Sequence, residues 1–407
     1  MQRKVYTKIS GCSREASLCP NSPDSIVKKI EIKEVNQMKV NKQGLPAESK
    51  KFQKITFKLT HEGHRVLTAA KTKDGEGLKA CTKISVDNTV VNEQAKHDFP
   101  TQYQIFYPLD NGKFVIANKG TGWVLHSGFE PGTPQTVVTS TPFDSNNISN
   151  QSFERKSKDS SGDFRLIDKD GWAVNVCSHA HNEYTKITTV EDNAEKEHLL
   201  LKFKTSENAK LPNIPSTTTL EPIPELKGFN DPLPENEDAK RAVIGSALIP
   251  CIIVNDHIPL EDRIKQHPYY ILEYRQYWHL LWSDVFTAGS NKIKTEVTGI
   301  PSEAQEKMKE LIGASIRTDI GLRFTDKSEP FGKQITSGLN VKHSYDYELG
   351  ETTTTTNVDN PNDFTVRYAR YARAHEFVLK RSDGQVVEEP WVAVDENDMY
   401  LKMYKKA

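Results

Sequence analysis

Three stretches of this chain repeat one another. "GHRVLTAAK" begins at Gly63, "GKFVIANKG" at Gly112 and "GDFRLIDKD" at Gly162, a spacing of about 50 residues. Each unit closes on a phenylalanine: "QIF" at Phe106, "QSF" at Phe153 and "LKF" at Phe203. Short apolar strands and Gly, Asn and Asp turns fill the space between. Units of this size bury their apolar faces only against one another, so three copies predict a closed all-β packing with pseudo-threefold symmetry.

The rest of the chain divides around that repeat. Residues 1–48 are rich in Lys, Ser and Asn without a sustained period, and read as a protease-sensitive extension. The repeats occupy 49–205. Residues 206–236, containing "LPNIPSTTTLEPIPELKGFNDPLPE" with its six prolines, read as a semi-rigid linker. From 237 to 407, helix signals are scarce apart from "SEAQEKMKEL" (302–311), and long period-two segments such as "RYARYARAHEFVLKR" dominate. They predict an elongated β-domain.

Within it, "IGASIRTDIGLRF" (312–324) puts Ile312, Ala314, Ile316, Ile320, Leu322 and Phe324 on one face and Arg317, Asp319 and Arg323 on the other. "FGKQITSGLNVKHSYDYELG" alternates likewise through Ile335, Leu339 and Val341. Two such strands joined by "TDKSEP" fit a hairpin that meets lipid with one face and a wet channel with the other. A soluble strand on a core alternates too. The segment 258–282, dense in Tyr and Trp, is a rival hairpin, although aromatics at that density more often fill cores.

Composition narrows the function. Across 407 residues, 54 Lys plus Arg balance 55 Asp plus Glu for a net charge of −1, which gives no global pull toward nucleic acid. There is no apolar run of helix-spanning length, and the basic N-terminus lacks the apolar centre of a signal peptide. No nucleophile elbow, phosphate loop, dinucleotide fingerprint or zinc-protease helix is written in the chain, so neither enzyme activity nor a cofactor is expected. "CSHAHNEY" aligns Cys177, His179 and His181, but no fourth ligand accompanies them, so no metal is assigned. Cys251, inside "ALIPCIIV", reads as a buried small hydrophobe.

The repeat resembles a ricin-B-like β-trefoil, whose units end in Gln-x-Trp or Gln-x-Phe; "NQSF" is the nearest match, and the third unit lacks the Gln. In such a domain Asn118, Trp123, Asn150 and Gln151 are the natural carbohydrate or receptor contacts, with the competing reading that Gln151 and Phe153 only close the unit. "RAVIGSALIPCIIVND", "YYILEYRQYWHLLWS", "DIGLRF", "EFVLKRSDGQVVEEPWVAVD" and "DNGKFVIANKGTG" resemble the mosquitocidal binary toxin family, BinA and BinB, and BinB somewhat more closely. The resemblance implies a trefoil followed by an aerolysin-like pore-forming domain. It also implies a second toxin protein as partner, a glycosylated receptor on the midgut epithelium, oligomerisation at the membrane, and storage in a spore-associated crystal inclusion. A non-lytic lectin-like delivery subunit is the alternative. Cys81 and Cys177 fall where the family has cysteines and are the candidate disulfide; Cys12 with Cys19 is the other pairing.

Overall fold

The computed structural model describes residues 45–57, 64–71, 78–85, 100–129, 136–176, 185–192, 199–225 and 228–406. The extension proposed for 1–48 lies almost wholly outside them.

The repeats build a β-trefoil. Its strands are β1 (Lys51–Phe57), β2 (His64–Lys71), β3 (Leu78–Ser85), β4 (Tyr103–Pro108), β5 (Phe114–Asn118), β6 (Val124–Phe129) and β7 (Thr136–Thr141). A helical turn α1 (Ile148–Gln151) precedes β8 (Ser152–Ser157), β9 (Phe164–Ile167), β10 (Trp172–Val176), β11 (Thr185–Glu191) and β12 (Leu201–Asn208). The ring β1–β4–β5–β8–β9–β12 closes on β1 through antiparallel pairings. The remaining strands form hairpins β2–β3, β6–β7 and β10–β11. These join in a triangle through β3–β7, β7–β11 and β11–β3.

The unit-closing phenylalanines occupy equivalent strands, β4, β8 and β12. Phe106 and Phe153 are fully buried, and Phe203 meets Phe106 at 5.5 Å and Phe164 at 4.5 Å between ring centres. One anchor is displaced. "HRVLTAAK" forms β2 of a cap hairpin, and the counterpart of β5 and β9 in the first unit is β1, "KFQKITF". Barrel and hairpin strands share the two-residue period, so periodicity alone does not distinguish them.

The second half begins with β13 (Ala242–Pro250), α2 (Leu260–Gln266), β14 (Tyr269–Phe286) and β15 (Asn291–Thr298). It continues through α3 (Ser302–Ile312), β16 (Ala314–Ile316), β17 (Leu322–Phe324) and α4 (Gly332–Leu339) to β18 (Thr352–Asp359), β19 (Val366–Lys380) and β20 (Trp391–Lys405). An antiparallel sheet in the order β13-β14-β19-β20 is its spine. With 18 residues, β14 is about 60 Å long at roughly 3.3 Å per residue. The segment 258–282 is therefore a helix followed by a central strand, not a hairpin. Its Tyr269, Tyr270, Tyr274 and Tyr277 are buried.

The proline-rich stretch runs extended along this sheet. Trp278 donates its indole N–H to Glu221 O at 2.9 Å, Tyr404 its hydroxyl to Pro224 O at 3.2 Å, and Thr218 its amide to Val243 O at 2.8 Å. The trefoil and the sheet share apolar core. Ile105, Leu109 and Val115 pack with Ile249, Cys251 and Ile264, and Tyr107 donates to Pro268 O at 2.9 Å while its ring meets Tyr269 at 5.2 Å.

Candidate functional site

Strands β15 and β18 pair along their whole length, from Asn291↔Asp359 to Thr298↔Thr352. Residues 299–351 leave this ribbon and return to it. At the root, Gly299 has φ 85°, and a Cβ there would strike the Gly350 carbonyl, so the two ends of the segment touch through a position only glycine fills without backbone movement.

Inside the segment, α3 buries Met308 and Ile312 and ends at Gly313, which takes the left-handed conformation of a helix C-terminus (φ 63°). The side-chain amide of Gln305 donates to Ile316 O at 2.8 Å and accepts from Ile316 N at 3.0 Å. It takes the place of a neighbouring strand for β16, which pairs with the three residues of β17 and receives one bond from Leu349 N at Ile316 O. The turn between them is strained. Ile320, a β-branched residue, sits at φ 52°, in a region costing about 1–2 kcal/mol for an L side chain. Arg317 is only 2% exposed, and among the described residues its Nε and Nη2 have no hydrogen-bond partner. Burial, then the charge of Arg323, lowers its proton affinity below the usual guanidinium value.

The sequence of α4, "GKQITSGL", is a poor helix former, with two glycines and two β-branched residues. Its N-cap, Phe331, supplies no side-chain acceptor. Asp110 does so from the β4–β5 turn of the trefoil: its carboxylate accepts from Lys333 N at 2.8 Å and Gln334 N at 3.2 Å. Asp110 N donates to Pro330 O at 3.0 Å, and Gln334 Nε2 donates to Pro108 O at 2.9 Å. Burial pushes the Asp110 carboxyl above its ordinary range, against the pull of the Lys333 and Gln334 amides. Beside it, buried Phe331 meets Phe143 of the trefoil at 6.1 Å.

These observations correct the reading of 312–341 as two long strands. Ile312 ends a helix, and Ala314 and Ile316 lie on one arm of a tight hairpin with Leu322 and Phe324 on the other. Ile320 lies in the turn, Ile335 and Leu339 are in α4, and Val341 follows its left-handed cap Asn340. Ile312, Ala314, Ile316, Leu322, Phe324, Ile335 and Leu339 are all buried in one core. A hairpin whose turn preserves parity yields the same alternation as one continuous strand, so the pattern does not separate the two.

The trefoil candidates point mostly inward. Asn118, 1% exposed, donates to Thr101 O at 2.8 Å and accepts from Gly120 N at 2.9 Å. Asp168 does the same work in the third unit, accepting from Asp170 N and Trp172 N. Gln151 donates to Thr141 Oγ1 at 2.9 Å and Pro142 O at 2.8 Å, and accepts from Asp144 N at 2.8 Å. Both amides are consumed in closing turns, which removes them as ligand contacts in this form. Trp123 and Asn150 are half-buried, and Asn150 donates to Asn147.

Cys81 lies on β3, while Cys177, like the His179–His181 pair, lies outside the described residues. Cys251 is a buried free thiol 3.4 Å from the Tyr107 hydroxyl. Asp110 and Gln305 escaped the sequence reading. The one available signal was a helix-poor segment lacking its own cap, and the partner lies 223 residues away.

No family model matches the chain. Two curated relatives come from Lysinibacillus sphaericus. Binary larvicide subunit BinA is 33% identical over 316 residues, covering 74% of this chain and 80% of the relative. Subunit BinB is 32% identical over 379 residues, covering 89% and 82%. The chain belongs to the binary larvicide family. Insecticidal crystal protein Cry35Ab1 of Bacillus thuringiensis is 23% identical to this family member over 344 residues, covering 80% of this chain and 85% of the relative. The crystal structure of Cry35Ab1 superposes with a TM-score of 0.66 at 17% identity, over 88% of this chain and 90% of that one. The fold is thus an all-β trefoil followed by an elongated aerolysin-like β-domain. Among the described residues no helix is long and apolar enough to cross a membrane.

Proposed function

We propose that this binary larvicide family member is one component of a two-protein insecticidal toxin, and that residues 299–351 refold at a membrane to extend the β15–β18 ribbon into a pore-lining hairpin. One observation carries this reading. The segment has strand periodicity in its sequence, yet it is held as helices and a short hairpin between two paired strands. Its aliphatic side chains and Phe324 and Phe331 are sheltered in the core, while Tyr345 and Tyr347 are exposed. A β-strand edge is not tolerated in lipid until it is paired, so insertion requires several copies to close a barrel together.

The names of the relatives, binary subunits and a crystal protein, support a partner toxin and a crystal-inclusion origin. The trefoil is the natural receptor-binding part, with Trp123 and Asn150 as the remaining glycan contacts. Neither role calls for enzymatic chemistry. Dye release from liposomes and conductance in planar bilayers, with the chain alone and with a partner subunit, test the proposal. Binding to larval midgut membranes without release or conductance under either condition would instead assign a non-lytic delivery role.

A further inference from the structure

We propose that the trefoil is the latch that keeps the 299–351 segment closed, with Asp110 as its keeper. The inference rests on the refolding reading above and names what holds the segment back. The trefoil makes two kinds of contact with the second half. One is broad and apolar, through Ile105, Tyr107 and Val115, against the root of the sheet and α2. That contact involves strands already paired in the long sheet and need not change. The other concentrates on residues 330–334, at the start of α4, through the turn "PLDNG".

This second contact is what α4 lacks. Its sequence does not favour a helix, it has no cap of its own, and alternation through Phe331, Ile335, Leu339 and Val341 also suits a strand. Two backbone amides at its start are satisfied by Asp110, and Phe331 is pinned by Phe143. Without them, the helix loses two acceptors at the end where four N–H groups have no intrahelical partner. A local shift of the β4–β5 turn and of the residues around Phe143, as on receptor or partner binding, would withdraw Asp110 and Phe143 while the shared core stays in place. Binding by one half of the chain would then free the segment in the other.

The test compares Asp110→Ala and Phe143→Ala with Lys113→Ala, a change in the same turn at a side chain with no bond to the segment. Hydrogen exchange is read at 332–339 and, as reference, in β14 and β19. Asp110→Ala is expected to raise exchange in α4 about fivefold, the equilibrium shift of one lost helix cap, with β14 and β19 unchanged and Lys113→Ala like wild type. Unaltered α4 exchange in Asp110→Ala overturns the latch whatever happens at membranes. Dye release from vesicles is then measured. Faster release by Asp110→Ala and Phe143→Ala supports the latch. Release equal to a lytic wild type overturns the latch and leaves the pore reading standing. A wild type that releases nothing, alone or with a partner subunit, overturns both.

Discussion

Gln305 pairs with Ile316 as one strand pairs with another, its amide donating to the carbonyl at 2.8 Å and accepting from the N–H at 3.0 Å. Both residues are buried. Gln305→Ala therefore orphans the Ile316 N–H away from water, at a cost of about 1–3 kcal/mol, while Ile316 O keeps its bond from Leu349 N at 3.2 Å. Gln305→Glu keeps one partner at most. We expect both variants to melt earlier, with hydrogen-exchange protection lost first in 314–324. Equal protection in wild type and Gln305→Ala would show that the pairing holds nothing.

Asp256 ties the root of the sheet together. Its fully buried carboxylate accepts two bonds from Arg381, both 2.8 Å, and one from Tyr270 at 2.7 Å. Burial alone would raise the carboxyl, but the bonds from Arg381 and Tyr270 outweigh it and hold it at about 2. The folded value lies below the unfolded one, near 3.9. The stabilisation is therefore complete above about pH 4 and is lost as pH falls through about 2. It amounts to roughly 2 kcal/mol. Asp256→Asn should be less stable at pH 7 and show a flatter loss of stability between pH 4 and 2. A slope identical to wild type would remove Asp256 from the acid response.

Cys251 should be chemically silent. Burial pushes its thiol up to about 11, with the Tyr107 bond and Arg263 pulling the other way, and thiolate is the reactive form. Iodoacetamide at pH 8, followed by peptide mass spectrometry, should leave the Cys251 peptide unmodified until denaturant is added. Labelling in the folded state would mean that the interface with the trefoil opens.

Gln151 closes the middle repeat with three bonds made by one buried amide. Gln151→Ala should cost about 2–3 kcal/mol in thermal melts, and glycan binding, if measured on the folded variant, should stay at the wild-type level. Retained stability with lost binding would return Gln151 to the list of ligand contacts.

The parts legible in the sequence were those fixed by local repetition. Phe106, Phe153 and Phe203 announced the trefoil because each copy repeats the same packing problem, and β19 was readable from long alternation, whereas the single strand β14 was hidden in a segment dense in Tyr and Trp. What failed was non-local. Ile312 to Phe324 read as one strand because the Arg317–Gly321 turn conserves parity. Ile335 and Leu339 read as strand because their helix depends on Asp110 and on the core, neither of which a window of sequence contains. Asn118 and Gln151 were sugar-contact candidates by residue type, with Gln151 also read as closing its unit, and residue type could not decide because turn closure uses the same amides that a sugar would.

The hairpin turn carries the last prediction. Arg317 places a cation in the core without partners for Nε and Nη2 among the described residues, and Ile320 adds left-handed strain three residues on. Both disfavour the closed segment, and both are relieved if 299–351 extends. Asp319, Asp346 and Glu348 attract the guanidinium, but none of them bonds Nε or Nη2, and replacing buried ionic groups with well-packed apolar side chains is often neutral or stabilising. Arg317→Met should accordingly raise the melting temperature and slow dye release, since the closed form is stabilised and the extended one is not. Ile320→Gly relieves strain but forfeits a partly buried side chain, two effects of similar size, so its stability should shift by less than about 1 kcal/mol. Arg317→Lys, which keeps the charge, should behave like wild type in both assays. A lower melting temperature for Arg317→Met would mean that the guanidinium stabilises the fold where it stands, and the strained-turn account of this segment would fall with it.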